Sequence, residues 1–217
     1  MIHSEIIQQT IQFVKTTLQN AEGGHDWFHI ERVWKNAKNI AQHTNTDPLI
    51  IELGALLHDI ADSKFHNGDE SIGPLKAQEF LNQFNLKEDQ IEHIVNIIKN
   101  ISYGGGNHKQ SFRSDELDII QDADRLDALG AVGIARAFNY GGFKNRGLYD
   151  PAISPNLKMS KEEYKKSKAP TINHFYEKLL LLKDKMNTEK GKAMANERHQ
   201  FLELYLEHFY AEWEGQI

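Results

Sequence analysis

Cysteine is absent from this 217-residue sequence, which excludes disulfides, thiolate zinc sites and thiol nucleophiles together. No apolar stretch approaches the ~18 residues that a membrane span needs. The opening residues, MIHSEIIQQTIQFVK, carry neither a basic leader nor a continuous apolar core, so no signal peptide is expected. Positive charge is in deficit: 25 Lys and Arg stand against 31 Asp and Glu, a net charge of −6. That balance predicts no electrostatic stripe for duplex nucleic acid. An anionic ligand would have to be met by a local cluster of Lys and Arg or by a metal. We expect a soluble, cytoplasmic protein that binds neither duplex nor membrane.

Alternating, strand-like runs are also hard to find. Hydrophobic residues make up 40% of the chain and charged ones 26%, enough for a sizeable core and too apolar for a disordered chain. The apolar positions recur at intervals of three and four. They predict helices over 4–20, 27–43, about 48–61, 74–84 and 88–102, one or two helices over 115–139, and closing helices over 171–186 and about 189–213. Asp47-Pro48 reads as an N-cap followed by proline in the first helical position. Between them, 140–170 reads as a long loop, of a length that tends to serve as a lid. We find no internal repeat and no linker. The expectation is an all-α, single-domain helical bundle over 1–217, with its core in about 20–150 and a loop and closing helices in 151–217.

The stretch LGALLHDIAD, residues 53–62, then poses a problem. His58 and Asp59 interrupt an apolar helical run, and a buried charge costs several kcal/mol unless it is paired or bound to a metal. On a helical wheel Leu53, Leu56, Leu57 and Ile60 share one side, and Gly54, Ala55, His58, Ala61 and Asp62 share the other. Three other places hold side chains that could answer the pair. HDWFHIERV supplies His25, Asp26 and His29. IIQDADRLDALGA supplies Asp122, Asp124 and Asp127, and periodicity leaves open which of them points inward. QIEHIVNIIKN supplies His93, whose plainer reading is a satisfied core histidine. Likewise Gly104, Gly105 and Gly106 read as a helix stop, and Lys165, Lys166 and Lys168 as a solvated face. Two imidazoles with two carboxylates form a mixed nitrogen and oxygen set suited to Mn²⁺, Fe²⁺, Co²⁺ or Zn²⁺. Such an ion polarises a phosphoryl oxygen and acidifies bound water.

The order of these pieces carries a resemblance. His29 in HIERV, then His58-Asp59, then Ala123-Asp124 with Leu126 resembles the HD-domain superfamily of metal-dependent phosphohydrolases, whose ligands run H…HD…D. HDWFHIERV, LLHDIAD, ISY and QDADRLDALGAVGIAR are similar, in that order, to the stand-alone bacterial members, and so is the tail ERHQFLELYLEHF. The resemblance implies an all-helical fold around one divalent ion, Mn²⁺ foremost, with Mg²⁺, Co²⁺, Fe²⁺, Ni²⁺ and Zn²⁺ as alternatives. Its ligands would be His29, His58, Asp59 and Asp124. Asp62 would orient the attacking water or manage its proton. Lys64 would neutralise phosphate charge, with Arg32, Arg125, Lys144 and Arg146 as further phosphate-binding candidates. His66 and His93 fit a second metal poorly. The implied reaction is hydrolysis of a nucleotide, foremost a (deoxy)nucleoside triphosphate to monophosphate and pyrophosphate. The alternatives are a 5′-nucleotidase, a cyclic-nucleotide or alarmone phosphohydrolase and, from other classes, a di-iron oxygenase or a non-catalytic nucleotide sensor. The partner is then a small-molecule nucleotide, and the sequence leaves the oligomeric state open.

Overall fold

The computed structural model describes residues 2–19, 21, 24, 26–61, 69, 71–101 and 112–217. Among them are ten α-helices, two short 3-10 helices and no strand, in agreement with the expected all-α class. The chain divides into two compact units, residues 1–124 and 125–217.

In the first unit α1 (His3–Thr17) and α2 (Trp27–Ile40) both pack on α3 (Pro48–Leu57). Beyond them, α4 (Ile72–Leu81) packs on α5 (Glu88–Asn100), α5 in turn packs on α3, and α6 (Asp115–Asp127) follows. α3 is the hub, and its sequence explains why. Ile50, Ile51, Leu53, Gly54, Ala55, Leu56 and Leu57 are all buried, so the helix is apolar around most of its circumference and needs neighbours on several sides. Its start is as expected: Asp47 caps it by accepting from the Leu49 amide at 2.9 Å, and Pro48 takes a first-turn position. The polar exception, Glu52, accepts from Trp34 Nε1 at 2.9 Å and lies 3.0 Å from His3 Nε2. α1 follows the amphipathic rule, burying Ile6, Ile7, Thr10 and Val14. The Thr10 hydroxyl donates to the Ile6 carbonyl at 2.8 Å, which satisfies it inside the core.

The second unit holds the last residues of α6, then α7 (Gly130–Phe143), α8 (Lys161–Lys166), α9 (Thr171–Glu177) and α10 (Glu189–Trp213). α7 packs against α9 and α10, around Ile134, Ile172, Phe175, Leu202 and Leu206. The stretch 115–139 is two helices, broken at Ala128 and Leu129; Gly130, which opens the second, has a φ of +69° that favours a residue without Cβ. Gly133 is needed for close approach: a Cβ there would lie 2.2 Å from the Ala128 carbonyl oxygen.

Three expectations are revised here. The stretch 140–170 is not wholly loop, because α7 runs to Phe143 and α8 forms within it. Its first part is tied down as well, since the Thr171 and Ile172 amides donate to the Gly147 and Leu148 carbonyls at 2.9 and 3.0 Å. The helix expected over 171–186 ends at Glu177 and continues as 3-10 turns at Leu179–Leu181 and Lys183–Lys185. α3 stops at Leu57, so His58 and Asp59 occupy a turn rather than a helical face.

One buried pair in this unit gives a pH signature. Tyr164 and His174 are hydrogen-bonded. Burial, helped by the charges of Lys178 and Arg146, pushes the His174 imidazole down to about 3. The unfolded chain, titrating near ~6.5, therefore takes up a proton that the folded chain refuses. This contribution to stability is intact above about pH 6.5 and is lost as pH falls toward 3, at about 1.4 kcal/mol per unit. Urea denaturation between pH 6.5 and 5 is expected to show a shallower loss of stability in His174→Gln than in the parent chain. Equal slopes would refute the assignment.

Candidate metal centre

The site grows from two helix termini. Asp26 is the N-cap of α2 and accepts from the backbone amide of His29 at 3.0 Å. That bond starts the helix and sets His29 in its first turn, where the residue is 2% exposed. Asp26 was visible beside His29 in the sequence, and its cap role explains why an aspartate stands three residues before the histidine.

His58 does the corresponding work at the other terminus. It is the C-cap of α3, with helical dihedrals. Its ring Nδ1 lies 2.8 Å from the Ala55 carbonyl oxygen, one of the carbonyls that the end of α3 leaves unmet. A carbonyl can only accept, so Nδ1 carries the proton, and the neutral ring keeps its lone pair on Nε2. Nε2 is buried and has no hydrogen-bond partner among the described residues. A buried polar atom left in that state costs about 1–3 kcal/mol. The helix end thus aims one imidazole nitrogen at a place where no described residue donates to it.

What lies there is a cluster of donors. Ligand-type atoms of His29, His58 and Asp59 all fall within 4.8 Å of one another. Asp124 Oδ1, from α6, lies 3.5 Å from His29 Nε2 and 3.9 Å from His58 Nε2. The two rings meet edge to face with centroids 5.4 Å apart. Both imidazoles are almost wholly buried, whereas the Asp124 side chain is 40% exposed. The cluster is closed on the imidazole side and open on the Asp124 side. Two imidazoles, two carboxylates and a buried ring nitrogen without a hydrogen-bond partner among the described residues fit a divalent cation.

The remaining candidates fall in several places. On α6, which periodicity left undecided, Asp124 stands beside the imidazoles, Asp122 is completely buried, and Asp127 pairs with Arg136 at 2.8 Å. Arg32 lies on α2, one turn beyond His29, and is partly exposed. In the second unit, Arg125 donates to the Lys185 carbonyl at 2.6 Å. Arg146 donates to the Ser167 carbonyl at 2.8 Å and lies over the Tyr140 ring. Lys144 lies over the Phe143 ring. These contacts give each of the three a structural role within that unit. His93 sits 2.9 Å from Ser114 Oγ and 3.5 Å from Glu116 Oε2, in line with its plainer reading. Asp62, Lys64, His66, His25, Tyr103 and Gly104 to Gly106 lie outside the described residues.

Known proteins share this arrangement of chain. The HD domain profile matches residues 27–129. YpgQ of Bacillus subtilis (strain 168) is 35% identical over 196 residues, covering 90% of this chain and 87% of that protein. The crystal structure of an HD-superfamily hydrolase from Bacillus thuringiensis is similar with a TM-score of 0.79 and 42% identity, covering 98% of this chain and 99% of the other. YpgQ has also been solved in complex with ADP, and that structure matches with a TM-score of 0.74 and 32% identity over 98% of this chain and 97% of its own.

Proposed function

This chain belongs to the HD-domain family of hydrolases, and on that premise we propose that it hydrolyses nucleotides, foremost (deoxy)nucleoside triphosphates to monophosphate and pyrophosphate. The observation that carries the reading is the buried Nε2 of His58, without a hydrogen-bond partner among the described residues and grouped with His29, Asp59 and Asp124. A chain under no functional demand would place an apolar side chain there. The ADP complex of YpgQ supports a nucleotide as the ligand.

In this reading His29, His58, Asp59 and Asp124 hold one divalent ion, with Mn²⁺ as first choice. Once bound, the ion supplies Lewis acidity toward a phosphoryl oxygen and lowers the pKa of a coordinated water. The protein does the rest. The Ala55 carbonyl keeps the His58 proton on Nδ1, so that Nε2 stays available as a donor. Asp59 and Asp124 balance positive charge, and the exposed side of Asp124 leaves room for a polyphosphate. Asp62, four positions after His58, orients the attacking water and accepts its proton. Water oxygen bonds to the α-phosphorus while the bond to the bridging oxygen breaks, and pyrophosphate leaves. Lys64 and Arg32 offset charge on the phosphates.

Phosphate and pyrophosphate release from a panel of ribo- and deoxyribonucleoside mono-, di- and triphosphates, with Mn²⁺ added to stripped protein, tests this reading. Equimolar monophosphate and pyrophosphate from triphosphates is expected. Release of phosphate alone would move the assignment to a phosphatase, and no product with any divalent ion would overturn it.

A further inference from the structure

We propose that Arg136 and Arg198, neither of them in the donor cluster, are positioning residues that hold Asp124 in place by clamping the last turn of α6. The inference rests on Asp124 being a ligand, as proposed above. α6 ends at Asp127, three residues after Asp124. Helix ends fray, because their last four carbonyls have no partner inside the helix. Here the Ala128 and Leu129 amides turn back to donate to the Arg125 and Leu126 carbonyls at 3.1 Å each, and two guanidinium groups add further donors at the same turn. Arg198 of α10 donates through Nη1 to the Leu126 carbonyl. Arg136 of α7 donates through Nη1 to the Asp127 carbonyl at 3.1 Å and pairs with the Asp127 carboxylate at 2.8 Å. The Asp127 side chain is 2% exposed, so this pair is shielded from the water and salt that weaken surface pairs.

The surroundings are built to let Arg198 reach. Gly130 is the first residue of α7, and a Cβ on it would lie 3.1 Å from Arg198 Cγ and 3.2 Å from Arg198 Cβ. Its missing side chain therefore opens the path along which Arg198 passes to the Leu126 carbonyl. The guanidinium is half-buried, and burial lowers its pKa against the opposing charges of Asp127 and Glu197. A cation is held out of water to meet a backbone carbonyl. Two cations at a helix C-terminus also oppose the helix dipole favourably. A donor carboxylate has to be fixed to within a fraction of an ångström. In this chain the helix that carries it ends one turn away, and the two guanidinium groups tie that end to α7 and α10.

The test is calorimetric titration of metal-stripped protein with Mn²⁺, at a temperature where circular dichroism shows every variant folded. Arg198→Met and Arg136→Met are expected to weaken Mn²⁺ binding by about tenfold or more while keeping one site per chain. Arg198→Lys, which still donates to a carbonyl, is expected to recover most of the loss. Arg113→Met, removing an exposed guanidinium paired with Asp118, is expected to bind as the parent does. Folded methionine variants with parental affinity would overturn the proposal, even if they melt earlier. Should they fail to fold, Arg198→Gln keeps a polar side chain while removing the charge and the reach to the Leu126 carbonyl. Weaker binding by that variant sustains the proposal, and unchanged binding overturns it. A parent chain that binds no Mn²⁺ would instead remove the ligand assignment itself, a result distinct from a failed clamp.

Discussion

Alanine at position 58 is expected to abolish turnover and to erase the stabilisation that a divalent ion confers. The fold uses His58 at one ring nitrogen, where it caps the end of α3. Its Nδ1 bond to Ala55 fixes the ring and the tautomer, and its Nε2 is buried without a hydrogen-bond partner among the described residues. Removing a partner that only orients a ligand costs ~10–100-fold in affinity or activity, and removing a donor should exceed that range. The thermal readout is independent of any substrate. With Mn²⁺ at about 100 times its dissociation constant, the parent gains ~2.7 kcal/mol. His58→Ala should gain nothing measurable. A variant that melts with the same Mn²⁺-dependent rise as the parent would show that His58 is a polar core residue and no more.

The second large effect is expected from a pair of substitutions on α6. Asp124→Asn keeps the side-chain shape, removes the charge and should weaken metal binding by ~100-fold or more, beyond what an orienting partner is worth. Asp122→Asn, two residues earlier, alters a carboxylate that is completely buried. There the expected loss is stability, about 2 kcal/mol for disturbing a buried polar group, with one metal site per chain retained. Metal titration and urea denaturation of both variants separate the two losses. If Asp122→Asn loses the metal and Asp124→Asn keeps it, the donor set is misassigned on α6, and the 3.5 Å approach of Asp124 to His29 is only an ion pair.

These two aspartates also show where sequence reading stops. A helical wheel gives Asp122 and Asp124 apolar neighbours alike, so periodicity cannot say which faces the imidazoles. The ordered HD pattern favoured Asp124, and the structure places that residue beside both rings. Helices with one apolar stripe were legible, and α10 has the bounds its pattern implied. The stretch after α9 was not. Leu179, Leu182 and Met186 are buried at spacings of three and four, which suit 3-10 turns as well as an α-helix. The end of α3 was hidden for a different reason. The apolar pattern continues through Ile60, but the imidazole of His58 takes up the Ala55 carbonyl and the chain turns. The same side chain that marks the site also ends the helix. The contact of Arg198 with the α6 terminus had no sequence signal, because α10 lies some seventy residues further along the chain and only folding brings them together.

The most direct test of the account is metal content by mass spectrometry, on the purified parent chain beside His58→Ala and Asp124→Ala. The account predicts close to one divalent ion per parent chain and almost none in either variant. A parent that binds no ion even when supplied with Mn²⁺, or variants that bind as the parent does, would contradict it.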